Sequence, residues 1–507
     1  MEKKSRTIIW WLELIIKLGL LTVGFLEASS LTFGKPIVSL FLWPTVFGGG
    51  LLMLVRLVHW KSYWRSKHFF LLVAFCVSYL VSIVVNIRYG WYTNIRTLIW
   101  CAFLFFLVYC YCTDEKDQAS QKQFTILTIY YVIMNAALSL LSFAFMISGY
   151  SQTFYGEGVG PIYYIGFNWG RLYGAYWDAN IGAVMSCVGI ILAASYFLKN
   201  RTAWVRVLLA LNVILEVAYI AFSDSRTGQL CLCVATVSYV FLAVKQRKNI
   251  QKAILCALIG LAVAFVFPVG IKKAYNAITT TSKEQIEQTV EMPETQAATI
   301  DSNDSNEAEG ETAAFSENKS SETESESTEA IDWEAQRYEE QLAQSLGRAD
   351  EYSGDVTNRR ADIWKSAIEI FKTSPIVGIS HNNVLPYVTE NLPDSYLITN
   401  DHMKFESMHN VFFDILVGQG AVGLLIYLAM AFTFFITIIK NWKAIVDRMG
   451  FMGIGCFVIL LVMVTSTFVM TEIVYVTSPM ATVFWMSMSC LMQAATKNPV
   501  SADTNKQ

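Results

Sequence analysis

The chain has 507 residues, of which 54% are hydrophobic, 14% aromatic and only 16% charged, against roughly 25% charged in a soluble domain. That balance excludes a soluble globule. The net charge of −3 averages a basic portion with one acidic stretch, and no nucleic-acid partner is expected.

Apolar runs recur near the ~20 residues that cross ~30 Å of hydrocarbon, so the chain reads as an all-α polytopic integral membrane protein. In chain order, the windows predict twelve transmembrane helices, at 8 to 28, 37 to 58, 69 to 87, 95 to 112, 124 to 148, 179 to 198, 204 to 222, 228 to 244, 253 to 271, 410 to 440, 451 to 470 and 473 to 493. The first follows Lys3, Lys4 and Arg6 but is too long for a cleaved signal and reads as an anchor. Within it Glu13 and Lys17, four apart, are expected to pair. The cysteines lie nearly all in apolar runs and read as free thiols; Cys110/Cys112 and Cys231/Cys233 lack the spacing of a zinc site.

Lys and Arg concentrate in alternate connections, among them the one with Arg56, Lys61, Arg65 and Lys67 and the one with Lys245, Arg247, Lys248 and Lys252. The positive-inside rule then places both termini in the cytoplasm. The chain divides into spans 1–9 over 1–271, one long extracytoplasmic loop between spans 9 and 10 over 272–408, spans 10–12 over 409–495, and a cytoplasmic tail over 496–507. Within the loop, about 280–330 is Ser/Glu-rich with almost no large apolar residue, a composition too poor in apolar surface to offset chain entropy. It reads as a disordered spacer. Order should resume near Trp333, and 358–373 reads as a helix capped by Asn358 and stopped by Ser374-Pro375. Its stripe of Arg360, Trp364, Ala367, Ile368 and Phe371 suits a helix lying on the membrane or packing over the bundle.

Four polar clusters reach the outer face under this topology: GRLYGAYWDAN at 170–180, SDSRTG at 223–228, NRRADIW at 358–364 and SMHN at 407–410. Arginines at span mouths are costly unless paired, so Arg171, Arg226 and Arg360 ask for an anion, and diphosphate matches the guanidinium fork. The competing readings are structural: Arg226 pairing with Asp224 or capping a span, Arg171 and Arg360 snorkelling to headgroups, with Arg359 beside Arg360 complicating the choice. His381, His402 and His409 lie in the ordered part of the loop. A neutral imidazole is the usual general base for a hydroxyl, although a lone loop histidine is commonly just solvated. Asp401, His402 and His409 match no compact metal-ligand spacing.

These motifs resemble the O-antigen ligase and O-antigen polymerase family of bacterial membrane glycosyltransferases. The resemblance rests on RADIWKSAIEIFKTSPIVGI with Arg360, Trp364, Pro375 and Gly378, then HNVFFDILVGQGAVGLL with His409, Asn410, Gly420 and Gly423, and on the SDSRTG and GRLYGAYWDAN segments upstream. The chain departs from the pattern at Ser380, where a second glycine is usual, and His381 follows it. The resemblance implies an enzyme of the bacterial plasma membrane, active on its outer side, without cofactor or metal. Its partners would be an undecaprenyl-diphosphate-linked glycan donor, a glycan acceptor, the bilayer and other polysaccharide-export machinery. Arg226 and Arg360 would hold the diphosphate and His409 would take the acceptor proton, with Arg171, Arg359, Asn180, His381 and Asn410 binding substrate. Polymerisation of repeat units by an inverting transfer leads, because the acidic spacer suits a thick wall. Ligase-type transfer of finished glycan is the alternative, and a glycan-lipid flippase, suggested by intramembrane Glu216, is the alternative of another class.

Overall fold

The computed structural model describes residues 3–111, 117–155, 162–246, 249–290, 359–400 and 404–496. The acidic stretch from 291 on, Trp333, Asn358, Asp401, His402 and the tail from 497 lie outside the described residues. The elements run α1 (Lys3–Ala28), α2 (Pro36–Val58), α3 (Phe69–Val85), α4 (Ile87–Ala102, continued by a π turn Phe103–Tyr109), α5 (Asp117–Ile147), β1 (Gln152–Tyr155), β2 (Ile162–Asn168), β3 (Arg171–Gly174), α6 (Ala179–Lys199), α7 (Ala203–Phe222), α8 (Arg226–Lys245), α9 (Ile250–Val290), α10 (Arg360–Thr373), α11 (Val384–Asn391), α12 (Tyr396–Thr399), α13 (Val411–Lys440), α14 (Trp442–Met449), α15 (Phe451–Ser466) and α16 (Pro479–Thr496). Among the described residues nine helices are long and apolar enough to cross a membrane, while α3 and α15 are shorter apolar helices. The chain is a predominantly helical, multi-pass membrane protein.

Short polar side chains set where three of the membrane helices begin, because each accepts amides that the first turn leaves free. Asp178 accepts the amides of Asn180 and Ile181 (2.5 and 3.2 Å) at α6. Ser225 accepts Gly228 (3.0 Å) at α8, and Asn410 accepts Phe412 and Phe413 (2.9 and 3.3 Å) at α13. Helices α6, α7, α8 and α15 pack closely on one another, with α9 flanking α8 and α13 against α3. One continuous apolar core fills the bundle. A small second core, built on Ile363, Ile370, Ile379, Val388 and Met408, joins α10 to α12 and reaches Val417 on α13.

Several buried charged groups are paired across this bundle, as a low-dielectric interior favours. Glu216 on α7 accepts the hydroxyls of Ser139 on α5 (2.8 Å) and Ser186 on α6 (2.7 Å), so the carboxyl ties three helices together. Glu13 is held chiefly by Arg56 (2.5 Å), with the expected Lys17 at 4.0 Å. Arg56 is therefore a buried residue of α2 rather than a loop residue, and it also donates to the carbonyls of Phe106 and Cys110 where the π turn leaves them accessible.

Four other expectations are corrected. The fold is not wholly helical: β1, β2 and β3 form an antiparallel sheet in that order, because the alternating Tyr/Ile/Phe residues before α6 have strand periodicity. Helix α9 continues past residue 271 to Val290, where Lys272, Lys273, Ala274, Ala277 and Lys283 to Gln288 supply good helix formers around a weaker Thr/Ser stretch. The stretch expected as a span from 473 begins its helix only at Pro479, and 467–478 is an irregular connection, as Ser478-Pro479 sets a helix start rather than an interior. Helix α10 buries Ile363, Ser366, Ala367 and Ile370, leaving Ile368 exposed; its stripe faces the small core and α13, one step round from the one expected.

Candidate active site

Helix α13 breaks at Gly420 (φ 65°, ψ −164°), and the chain after α10 threads the break. The amides of Ile379 and Ser380 donate to the carbonyls of Val417 (2.9 Å) and Gly418 (3.0 Å), while the amides of Ala421 and Val422 donate to Pro375 (2.8 Å) and Ile376 (3.3 Å). Two carbonyls and two amides that the broken helix orphans are thus met by residues 375–380. The approach is so close that a Cβ at Gly378 would lie 2.5 Å from the Val417 carbonyl oxygen, and one at Gly420 2.3 Å from that of Ile376. This is the physical content of the motif glycines. From α3, Ser82 donates to the Gly418 carbonyl (2.8 Å) and Asn86 to that of Gly378 (2.9 Å). From α4, Asn94 accepts the Asn382 amide (3.0 Å) and donates to Asn383 (2.9 Å).

The threaded segment ends at His381, whose ring lies flat on Tyr475 (4.4 Å, 17°). Close by, the loop before α13 is pinned by Asp414. Its carboxylate accepts the Met408 amide (2.8 Å), the Ser407 hydroxyl (3.1 Å) and the Thr471 hydroxyl. Trp364 stacks on Phe413 (5.5 Å) and donates its indole N–H to the Met408 carbonyl (3.1 Å), which explains its spacing from Arg360. His409 follows in left-handed backbone (φ 49°), with its amide on Ser407.

These elements enclose a cavity of about 470 Å³ at one end of the bundle. One wall is Trp177, Asp178, Asn180 and Ile181, a second is Arg359, Arg360 and Ile363, and a third is His381, Phe405, Ser407 and His409. The fourth is Val469, Met470, Thr471, Glu472 and Val476 from the irregular connection. The His409 ring is open to the cavity, with the edge of Phe405 6.0 Å away. Its surroundings lower its pKa, and the neighbouring charges are Asp414, which opposes the shift, Arg360, which adds to it, and Asp178. Burial lowers His381 too, again against Asp414. Burial, reinforced by Asp178 and opposed by a hydrogen bond with Ser478, pushes the Glu472 carboxyl up to about 8.

A domain of the family described as O-antigen ligase matches residues 211–428. Residues 211–428 therefore carry a domain of the O-antigen ligase family of enzymes. No curated protein matches the chain. The matched residues contain the SDSRTG turn, α10, the threaded break and the SMHN loop, so the two cavity walls that carry the arginines and the histidines belong to the family domain. The Trp177–Ile181 wall and the 469–476 wall lie outside it.

Of the arginines expected from the sequence, Arg360 and Arg359 line the cavity of this O-antigen ligase domain, and Arg359 precedes α10 in left-handed backbone (φ 65°) where Asn358 was expected as the cap. Arg171 is buried beside it, donating to the Ser223 carbonyl (2.9 Å) and to cavity-lining Asn180 (3.3 Å). Asn180 also accepts the Ser225 hydroxyl (2.8 Å), and Arg226, the next residue, is exposed at the head of α8. Asp224 forms its ion pair with Lys272 on α9. Asn410 serves as the α13 cap and donates to the Phe468 carbonyl (3.0 Å). The expected residues therefore form two groups joined through Asn180: Arg359, Arg360, His381 and His409 on the cavity, Arg171 and Arg226 behind or beside one wall.

Sequence reasoning passed over Asp178, Asp414 and Glu472. Asp178 stood inside a motif already singled out, where Asp-Ala-Asn before an apolar run is a cap signal. Glu472 falls between two adjoining apolar windows, 451 to 470 and 473 to 493, in a gap of two residues that draws no attention.

Proposed function

We propose that the cavity transfers a glycan from an undecaprenyl-diphosphate-linked donor to a sugar hydroxyl. The observation that supports this most is the sharing of one cavity by Arg359, Arg360, His381 and His409. The acceptor oxygen attacks the anomeric carbon as the bond from that carbon to the diphosphate oxygen breaks. The electron pair leaves on the diphosphate, and attack opposite the leaving group inverts the carbon. Arg360 and Arg359 grip the diphosphate and stabilise its growing charge, with exposed Arg226 completing the grip and Arg171 positioning Asn180. His409, neutral at pH 7, takes the acceptor proton; His381, stacked on Tyr475, is more confined and binds substrate. In this reading the arginines supply the positive charge on the diphosphate that a metal would.

The family description favours ligase-type transfer of finished glycan to another acceptor over the polymerase reading towards which the acidic spacer tilted the sequence. Deletion of the gene distinguishes them. Long chains retained on undecaprenyl diphosphate are expected for the ligase, whereas single repeats displayed without longer chains would return the polymerase. Purified protein that moves lipid-linked glycan across liposomes without forming a glycosidic bond would overturn both in favour of a flippase.

Adding α3, α15 and α16 to the nine long helices gives twelve crossings, with the termini in the cytoplasm and the cavity facing outward. Spans 1–9 over 1–271 and spans 10–12 over 409–495 then flank the outer segment 272–408.

A further inference from the structure

We propose that Phe33, Tyr163 and Trp177 form a subsite for the face of a pyranose ring at the mouth of the cavity. The three rings come from separate segments: the α1–α2 connection, β2 and the turn before α6. Phe33 and Trp177 are stacked at 5.8 Å and 21°, and Tyr163 lies 5.4 Å from Phe33 and 6.2 Å from Trp177. Phe33 stays 41% exposed and the other two are half-buried. Trp177 itself lines the cavity that holds Arg360 and His409, so the cluster is continuous with the site.

The platform is held by backbone rather than by the rings alone. The Trp177 amide donates to the Ala28 carbonyl (3.1 Å), and the Ser30 amide and Ser29 hydroxyl both reach the Ala175 carbonyl (3.0 and 2.9 Å). The α1–α2 connection is thereby fastened to the turn before α6, which fixes Phe33 against Trp177 before any ligand arrives. A pyranose presents one face of slightly positive C–H groups and a rim of hydroxyls. An aromatic face, negative at its centre, matches the first, and the Asp178 and Asn180 side chains beside Trp177 match the second. Aromatic side chains that merely anchor a protein at the membrane interface need neither mutual stacking nor a place in a polar cavity wall.

The subsite rests on the transferase reading, and the sugar can belong to the donor glycan or to the acceptor. The test uses purified full-length protein, lipid-linked glycan extracted from a strain lacking this gene as donor, and membranes of that strain as acceptor. Trp177→Leu and Tyr163→Leu are each expected to raise one of the two KM values about three- to tenfold, with kcat nearly unchanged and with Trp177→Phe close to wild type. A rise in the donor KM assigns the platform to the donor glycan, and a rise in the acceptor KM to the acceptor. Unchanged KM for both substrates in both leucine variants would overturn the subsite. Absence of any glycosidic bond formation by the wild-type protein would instead overturn the transferase reading, and gel filtration in detergent separates either result from misfolding.

Discussion

Two carboxyl groups of different character face the histidines. Asp414 is spent on the Met408 amide and the Ser407 and Thr471 hydroxyls, and through them it holds His409 in a left-handed conformation that costs on the order of 1–3 kcal/mol. Desolvation by the residues that wall the cavity, partly opposed by Asp414, keeps the His409 pKa below the ordinary histidine value although the ring itself is open to the cavity. A base must be unprotonated, so transfer should be level through neutral pH and fall about tenfold per unit only below that lowered pKa. Glu472 has its pKa raised to about 8: it is neutral at pH 7 and charged above pH 8, where it repels a diphosphate in the same cavity. The pH profile of kcat/KM should therefore also fall on the alkaline side near 8, and Glu472→Gln should abolish that fall; an alkaline limb unaltered in the variant would remove Glu472 from the cause. His409→Gln should cut transfer about 100- to 10,000-fold while extracted donor still binds. Arg360→Ala should abolish transfer, and Arg360→Lys should restore little because it lacks the planar fork. Near-normal product from His409→Gln together with an inactive His381→Ala would move the base to His381.

The broken helix dictates what its own residues tolerate. Gly378 and Gly420 both have positive φ, and both would drive a Cβ into a backbone carbonyl. Alanine at either position should lower stability by about 2 kcal/mol or more, read as a fall in melting temperature in detergent and in monodisperse yield. Ser380 has φ 70° without being glycine, and its hydroxyl is hydrogen-bonded to that of Ser82 (3.0 Å). Ser380→Gly exchanges relief of strain for loss of a bond worth ~1 kcal/mol, so its melting temperature should stay near wild type and its activity intact. Ser380→Val, β-branched and unable to make the bond, should resemble Gly378→Ala. The departure at Ser380 was visible in the sequence, as were Gly378, Gly420 and the Arg360–Trp364 spacing. What hydropathy did not reveal was the break they serve, because residues 411–440 are apolar apart from Asp414, Gln419 and a few others, and a threaded helix has the same composition as an intact one.

Across the whole molecule, the membrane segments were legible wherever apolar runs were long, since length and hydropathy together leave few alternatives to a helix. The 467–478 connection was not, because Phe, Val, Met, Ile and Tyr score as apolar whether they form a loop wall or a span, and the sheet was not, because 152–174 lies between the apolar windows and hydropathy says nothing of strands there. The proposed outward orientation of the cavity makes a direct expectation: in an otherwise cysteine-free variant, a cysteine at Glu406 should react with a membrane-impermeant thiol reagent applied to intact spheroplasts, and one at Lys61 should react only after lysis. The opposite pattern would invert the topology. Removal of 291–328, composed mainly of Ser, Thr, Glu and Ala, should leave transfer within a few-fold, because shortening a long closure changes little free energy. A well-expressed but inactive deletion would show that the stretch binds something.

The bonds from Ser82 and Asn86 to the threaded break join residues almost 300 positions apart in the chain, 298 for Ser82–Ser380 and 292 for Asn86–Gly378. At ~5–20 residues/s of synthesis, α3 enters the membrane roughly 15–60 s before its partners exist. During that interval its polar edge faces lipid or a chaperoning insertase, so the amino-terminal half is born as an unfinished socket. The same lag implies modularity: residues 1–246 and 249–507 made as two polypeptides in one cell retain every surface that the socket needs, and their co-purification and restored transfer are the expected result.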